Sequence, residues 1–266
     1  MTGAQRGPDG RRNGPDGGGG SAGDLAAGQA RGTAGIGPSG GGGAAEPWID
    51  PALTRVGILG GTFDPIHYGH LAIAEEVAEE LDLERVLFVP AAQPPHKLDD
   101  EVSPGEDRAE MIRLAIADNP KFGLCRIELE RDGPSYTADT LEQLADEAAR
   151  QRVARSLYFI LSVDAFAGFR SWHEPERVLA RATLVIVPRP GSPLPSLEWI
   201  AEQLPPNADA APEVLFVDTV SLATSSTRIR ERLTASRSIR YLVPQSVERY
   251  IRDRRLYRST KPVRTA

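Results

Sequence analysis

The sequence predicts an α/β fold: a doubly wound parallel sheet finished by C-terminal helices. Three observations carry this. Short apolar, β-rich runs recur from residue 55 onward, amphipathic helical stretches stand between them, and runs such as "TLVIV" are apolar throughout. Strands that alternate with helices pair in parallel with both sheet faces covered. Strands buried on both sides lose the polar alternation of a half-exposed strand.

The elements follow in order. "RVGIL" (55–59) is a strand ended by glycines. "HLAIAEEVAEELDL" (70–83) is a helix with Leu71, Ala74, Val77, Ala78 and Leu81 on one face and glutamates opposite. "RVLFVP" (85–90) is the second strand. "SPGEDRAEMIRLAIAD" (103–118) opens with a capping-box pattern from Ser103 to Glu106, with Pro104 at the first helical position and Met111, Leu114 and Ala115 facing inward. "FGLCRIELE" (122–130) is the third strand, "TADTLEQLADEAAR" (137–150) a helix, "LYFIL" (157–161) a strand and "PERVLARA" (175–182) a short helix. "TLVIVP" (183–188) and "EVLFVD" (213–218) complete the strands. Two helices close the chain, "SSTRIRERL" (225–233) and "PQSVERYIRDRRL" (244–256), the second with Val247, Tyr250, Ile251 and Leu256 inward. The Pro-rich segment 189–212 is expected as a surface excursion.

Residues 1–53 are Gly-rich, repeat GPDG and are poor in large apolar side chains. Such a segment buries too little surface to offset its ordering entropy, so a disordered tail is expected. Residues 54–258 are expected as one domain and 259–266 as a short C-terminal tail. The formal net charge of −6 gives no sign of nucleic-acid binding, although a local basic site for a phosphorylated ligand is compatible with it. The basic end "RYIRDRRLYRSTKPVR" comes with no recognition motif and suits a solvated amphipathic helix. A single cysteine, Cys125, excludes a disulfide framework and an all-cysteine zinc site. No apolar run is long enough to span a bilayer and no apolar segment follows the early arginines. A cytoplasmic protein without membrane or nucleic-acid partners is expected, with a homo-oligomer left open.

"GGTFDPIHYGH" (60–70) lies between the first strand and the first helix, at the carboxyl end of the sheet where ligands of open α/β folds bind. Gly60 and Gly61 permit close backbone approach, and the helix N-terminus suits phosphate. His67 and His70 stand three residues apart, so both imidazoles can face one side. A structural turn accounts well for the glycines and Pro65 and poorly for the two imidazoles. A zinc site needs three or four protein ligands, of which His67, His70 and Asp64 could give three, with His96 and His173 standing alone. The dinucleotide pattern GxGxxG is absent after this strand.

GGTFDPIHYGH is similar to the H/TxGH signature of the nucleotidyltransferase superfamily, and "SSTRIR" (225–230) resembles its SSTxxR element. "PPHK" (94–97), "GPSYTADTL" (133–141), "RPG" (189–191) and "YLVPQSVERYI" (241–251) narrow the resemblance to bacterial nicotinate-nucleotide adenylyltransferases, over roughly residues 55–258. The resemblance implies a Rossmann-like domain that joins nicotinate mononucleotide to the AMP part of ATP, releasing pyrophosphate, as a step of NAD synthesis. It implies that His67, His70 and Arg230 hold and stabilise the phosphates. ATP would further meet Gly60, Gly61, Ser162, Asp164, Ser225, Ser226 and Thr227. The mononucleotide would meet Thr62, Phe63, Lys97, Tyr136, Thr137 and Trp172, with Trp172 on the pyridine ring. Mg²⁺ is implied with ATP, held mainly by phosphates, with no protein metal ligands. Three positions depart from the family pattern: Ser162 stands at a usual glycine, and Thr224 and Ser236 replace the expected Ile and Gly. The alternatives are transfer to phosphopantetheine or to nicotinamide mononucleotide, and a non-catalytic nucleotide-binding homologue.

Overall fold

The computed structural model describes residues 48–93, 102–188, 195–206, 213–220 and 222–257. Six strands form one sheet: β1 (Arg55–Gly61), β2 (Arg85–Pro90), β3 (Phe122–Leu124), β4 (Ser156–Ser162), β5 (Thr183–Val187) and β6 (Val214–Phe216). Their order is β3-β2-β1-β4-β5-β6, and every pair is parallel. The chain therefore winds outward from β1 in one direction, then restarts beside β1 at β4 and winds the other way. The crevice between the ends of β1 and β4 is the topological switch point of the sheet.

Eight α-helices are described: α1 (Tyr68–Glu80), α2 (Gly105–Ala115), α3 (Thr137–Gln151), α4 (Val163–Phe166), α5 (Pro175–Arg181), α6 (Leu197–Gln203), α7 (Ser226–Thr234) and α8 (Gln245–Arg254). Strand side chains alternate between two cores. Leu59, Val86, Phe88, Tyr158, Ile160, Val185 and Val187 meet α1, α2, α7 and α8 on one face. Val56, Ile58, Leu87, Phe159, Leu161, Leu184 and Ile186 meet α3, α4, α5 and α6 on the other. The predicted inner faces hold: Ala74, Val77 and Ala78 of α1, Met111 and Ala115 of α2, and Val247 and Ile251 of α8 are buried. Leu71, Leu81, Leu114, Tyr250 and Leu256 pack at the margins of the same core.

Gly57 in mid-β1 has a packing reason. A Cβ there would stand 2.9 Å from Leu83 Cδ1, 3.1 Å from Val86 Cγ2 and 3.2 Å from Ile160 Cδ1. Gly57→Ala is therefore expected to lower stability by about 1–3 kcal/mol through overpacking, read as a lower urea midpoint with an unchanged slope.

Four expectations need correction. The tail boundary at residue 53 is too late: Ile49 is fully buried, and the Trp48 amide donates to Glu147 Oε1 at 2.8 Å. Residues 1–47 and 258–266 lie outside the described residues. The capping box from Ser103 to Glu106 does not form, because Pro104 itself is the N-cap and α2 begins at Gly105. The Ser103 amide instead donates to Asp64 Oδ2 at 3.2 Å, and Glu106 pairs with Arg126 at 2.6 Å. The third strand stops at Leu124 rather than running to Glu130. Cys125 makes one last ladder bond, from its amide to the Phe88 carbonyl (3.0 Å), and the chain then turns so that Glu128 is buried against the Thr140 hydroxyl. The Pro-rich segment holds α6, capped by Ser196, with Ile200 buried and Trp199 edge-on to Phe166.

Candidate active site

The stretch after β1 folds back onto the end of its own strand. Phe63 takes a left-handed backbone (φ 50°), and its buried ring lies over Gly61, where a Cβ would meet it at 3.1 Å. Gly61 thus makes room for the loop's own ring. Gly60 sits at the strand end with only Phe159 nearby, 3.7 Å from its hypothetical Cβ. His67 is the N-cap of α1, and its amide donates to Nδ1 of His70 at 3.3 Å. The two imidazoles stack with centroids 3.7 Å apart and planes 17° apart, as the three-residue spacing predicts. Phe63 meets the His70 ring in a T-shaped contact at 5.0 Å. Gly69 was not singled out from the sequence. A Cβ there would stand 3.0 Å from the His67 ring and 3.4 Å from Thr224 Cγ2, so the glycine between the histidines keeps the stack possible.

Burial lowers the His67 pKa to about 4, partly opposed by a backbone hydrogen bond. Burial, and then the neighbouring His67, hold His70 well below the ordinary imidazole value. Near neutral pH both rings are uncharged, each with one N–H to donate. Because the folded pKa values lie below that of an unfolded histidine, the unfolded chain binds more protons between about pH 4 and 6.5. Stability is present above that window and is lost as pH falls through it, by about 3 kcal/mol at most for His67. The raised carboxyl of Glu128 acts in the opposite direction, so the histidine share is read as a difference. The urea midpoint of the unaltered chain should fall more steeply with acid than that of His67→Gln.

The distant motif arrives at this loop through α7. Ser225 is the N-cap, its Oγ accepting from the Arg228 amide at 3.2 Å. Ser226 Oγ donates to the Pro65 carbonyl at 2.8 Å, and Arg230 Nη1 donates to the Asp64 carbonyl at 2.8 Å. Thr227 is exposed on the first turn, and with Arg230 it borders an open cavity of about 410 Å³. At the end of β4, Ser162 caps the short α4, accepting from the Ala165 amide at 3.2 Å, and Asp164 is exposed beside it. Ser162 has φ −75°, so its backbone does not require glycine. Ser236 differs, since its φ of 54° lies in the region that glycine adopts most freely. Thr224 packs against the Gly69 turn.

A second group gathers around the start of α3 and the segment after β4. The Ser135 hydroxyl accepts from the Ala92 amide at 2.9 Å, and its amide donates to the Gln93 carbonyl at 3.0 Å, tying the β2 loop to the start of α3. Tyr136 is the N-cap of α3, and its ring stacks on His173 at 4.1 Å; Thr137 is the first helical residue. Trp172 is half-buried against Phe169 (5.4 Å) and Phe159 (6.1 Å), so part of it belongs to the core. Arg177 binds α5 to α3 through Glu142 and Asp139. Thr62 is half-buried at the loop entrance, its carbonyl accepting from Arg108 at 2.9 Å. Lys97, His96 and the RPG stretch lie outside the described residues. Among the described residues no three His, Cys, Asp or Glu side chains gather where they could hold a metal ion, and no helix is long and apolar enough to cross a membrane.

A family model described as Cytidylyltransferase-like matches residues 58–232. The probable nicotinate-nucleotide adenylyltransferase of Thermus thermophilus is 49% identical over 205 residues, 77% of this chain and 100% of the relative. That of Acidothermus cellulolyticus is 44% identical over 207 residues, 77% of this chain and 95% of the relative. The chain belongs to the nicotinate-nucleotide adenylyltransferase family. Among solved structures, the nicotinic acid mononucleotide adenylyltransferase of Plasmodium falciparum complexed with NaAD aligns with a TM-score of 0.61 at 20% identity, covering 77% of this chain and 97% of that one. That likeness carries the fold. The Rossmann-like sheet thus brings both motifs to one loop.

Proposed function

We propose that the chain transfers the adenylyl group of ATP to nicotinate mononucleotide, giving nicotinate adenine dinucleotide and pyrophosphate. The observation that carries this reading is the junction of the two motifs: the stacked His67–His70 pair and Arg230 meet on one loop at the switch point. A phosphate oxygen of the mononucleotide attacks the α-phosphorus of ATP in line, a new P–O bond forms, and the bond to the β-phosphate bridge breaks. Charge grows on the α-phosphoryl oxygens and on the departing pyrophosphate. The neutral histidines donate N–H bonds to that charge, and the Arg230 guanidinium offers a planar fork to the β- and γ-phosphates. No covalent enzyme intermediate is needed; Cys125 is fully buried, with its pKa pushed up to about 12 by burial.

Asp164 suits the adenosine ribose, and Gly60, Gly61 and Ser162 line the approach to the nucleotide. Ser225, Ser226 and Thr227 add the start of a helix of nine residues to the phosphate side. Trp172 offers a face to the pyridine ring, the Thr137 amide at the start of α3 offers an N–H donor to its carboxylate beside Tyr136, whose own amide bonds the Pro134 carbonyl at 3.1 Å, and Thr62, Phe63 and Lys97 serve the mononucleotide. An N–H donor left unpaired by a carboxamide would favour the acid form. Mg²⁺ fits as a companion of ATP, since the Asp64 carboxylate is committed to Tyr257 and the Ser103 amide. When bound it would neutralise phosphate charge, held by phosphates and water. A cytoplasmic setting accords with one buried thiol.

The test is pyrophosphate release from ATP with a panel of acceptors. Turnover with nicotinate mononucleotide and none with phosphopantetheine is expected. Turnover with phosphopantetheine alone would move the chain to another acceptor class, and nucleotide binding without turnover would make it a non-catalytic binder.

A further inference from the structure

Behind the catalytic loop lies a buried polar unit with no assigned role. Arg108 of α2 is the largest fully buried side chain in the described residues, and Asp64 is 3% exposed. Arg108 Nε donates to the Ser103 carbonyl at 2.8 Å and Nη1 to the Thr62 carbonyl at 2.9 Å. The Asp64 carboxylate accepts from the Ser103 amide through Oδ2 and from the Tyr257 hydroxyl through Oδ1. Its carbonyl accepts from Arg230, and the next carbonyl, of Pro65, accepts from Ser226. The backbone from Thr62 to Pro65 is thereby held by side chains of α2, α7 and the C-terminal turn.

The C-terminal turn is shaped to deliver Tyr257. α8 docks on α2 through Tyr250 and Arg254, both donating to Asp107 Oδ1 at 2.7 and 3.2 Å. The chain then reverses through two non-glycine left-handed residues, Arg255 at φ 57° and Tyr257 at φ 61°. Backbone held in this region persists where the surroundings enforce it, and it clusters at functional sites. Well-packed apolar side chains could fill the same space with equal or greater stability, so retained buried charges suggest a specificity or positioning role.

We propose that Tyr257, Asp64 and Arg108 are positioning residues for adenylyl transfer. They set the loop backbone, and through the Asp64 carbonyl they set Arg230 and the neighbouring histidine pair. Tyr257 touches no reacting atom; it fixes one side of Asp64 while Arg230 is fixed by the other. Misplacing a charge-stabilising group acts on the transition state more than on substrate binding, so the effect falls on kcat.

The inference rests on the adenylyl-transfer reading, and the test separates the two. In the full chain, Tyr257→Phe is expected to lower kcat about 10-fold with both KM values within about two-fold, because it removes positioning but no substrate contact. In an Arg230→Ala background the same change should cost less than about two-fold, since residues acting as a unit are not additive. Hydrogen exchange of amides 62–70 should quicken in Tyr257→Phe while β1 and β2 stay protected. An unchanged kcat, or losses at Tyr257 and Arg230 that multiply in full, would overturn the proposal. If the unaltered chain lacks turnover, the functional reading fails on its own, and the exchange of residues 62–70 still decides whether Tyr257 sets the loop: unchanged exchange overturns it.

Discussion

Replacing His70 with alanine is expected to lower kcat by about 100- to 1,000-fold, the usual cost of removing one donor aimed at developing charge. KM for the mononucleotide should change little, because the donor matters most when the α-phosphorus is crowded with charge. The stacked geometry adds a second consequence. His67 and His70 lie 3.7 Å apart face to face, and His70 Nδ1 accepts from the His67 amide, so removing the His70 ring also releases the N-cap of α1. His67→Ala should therefore not add its full effect to His70→Ala. A double-mutant cycle on kcat, with thermal melting as a check on folding, measures that coupling. Full additivity would mean that the rings act separately.

The second large effect is expected at Arg230. Hydrogen bonds to charged groups contribute about 1.5–3 kcal/mol, so Arg230→Ala should lower kcat/KM for ATP by about 10- to 150-fold. Lysine should recover little, since one ammonium cannot both hold the Asp64 carbonyl and present a planar fork to phosphate oxygens. The loss should sit mainly in kcat and so appear with either substrate varied. A loss confined to KM for ATP would mean that Arg230 binds ATP only in the ground state.

The parallel α/β class and most helices were legible because burial leaves a plain trace. The run RVLFVP is apolar on both faces, and the structure makes it β2 over those same residues. α6 was hidden by flanking prolines, although Ser196 before it is a readable N-cap. The third strand was over-extended because CRIELE alternates like a strand while its carboxylate Glu128 turns inward to Thr140. At the site, the histidine pair and SSTRIR were legible as local patterns, and His67 and His70 face one another as their spacing requires. The supporting unit was not. Tyr257 and Asp64 lie 193 residues apart, and a buried arginine such as Arg108 looks in sequence like any solvated helical charge. Gly69 stood in the motif, but only the 3.0 Å approach to His67 gives it a reason. The departures from the family pattern divide on backbone angle: Ser162 sits in an ordinary extended conformation, whereas Ser236 occupies a left-handed one.

The most direct measurement is a paired assay of pyrophosphate release from ATP, with nicotinate mononucleotide and nicotinamide mononucleotide in parallel, on the full chain and on His70→Ala. Turnover with the nicotinate form well above that with the nicotinamide form, and collapsing in His70→Ala, is the expected result. Equal kcat/KM for the two mononucleotides, or turnover that survives His70→Ala undiminished, would contradict it.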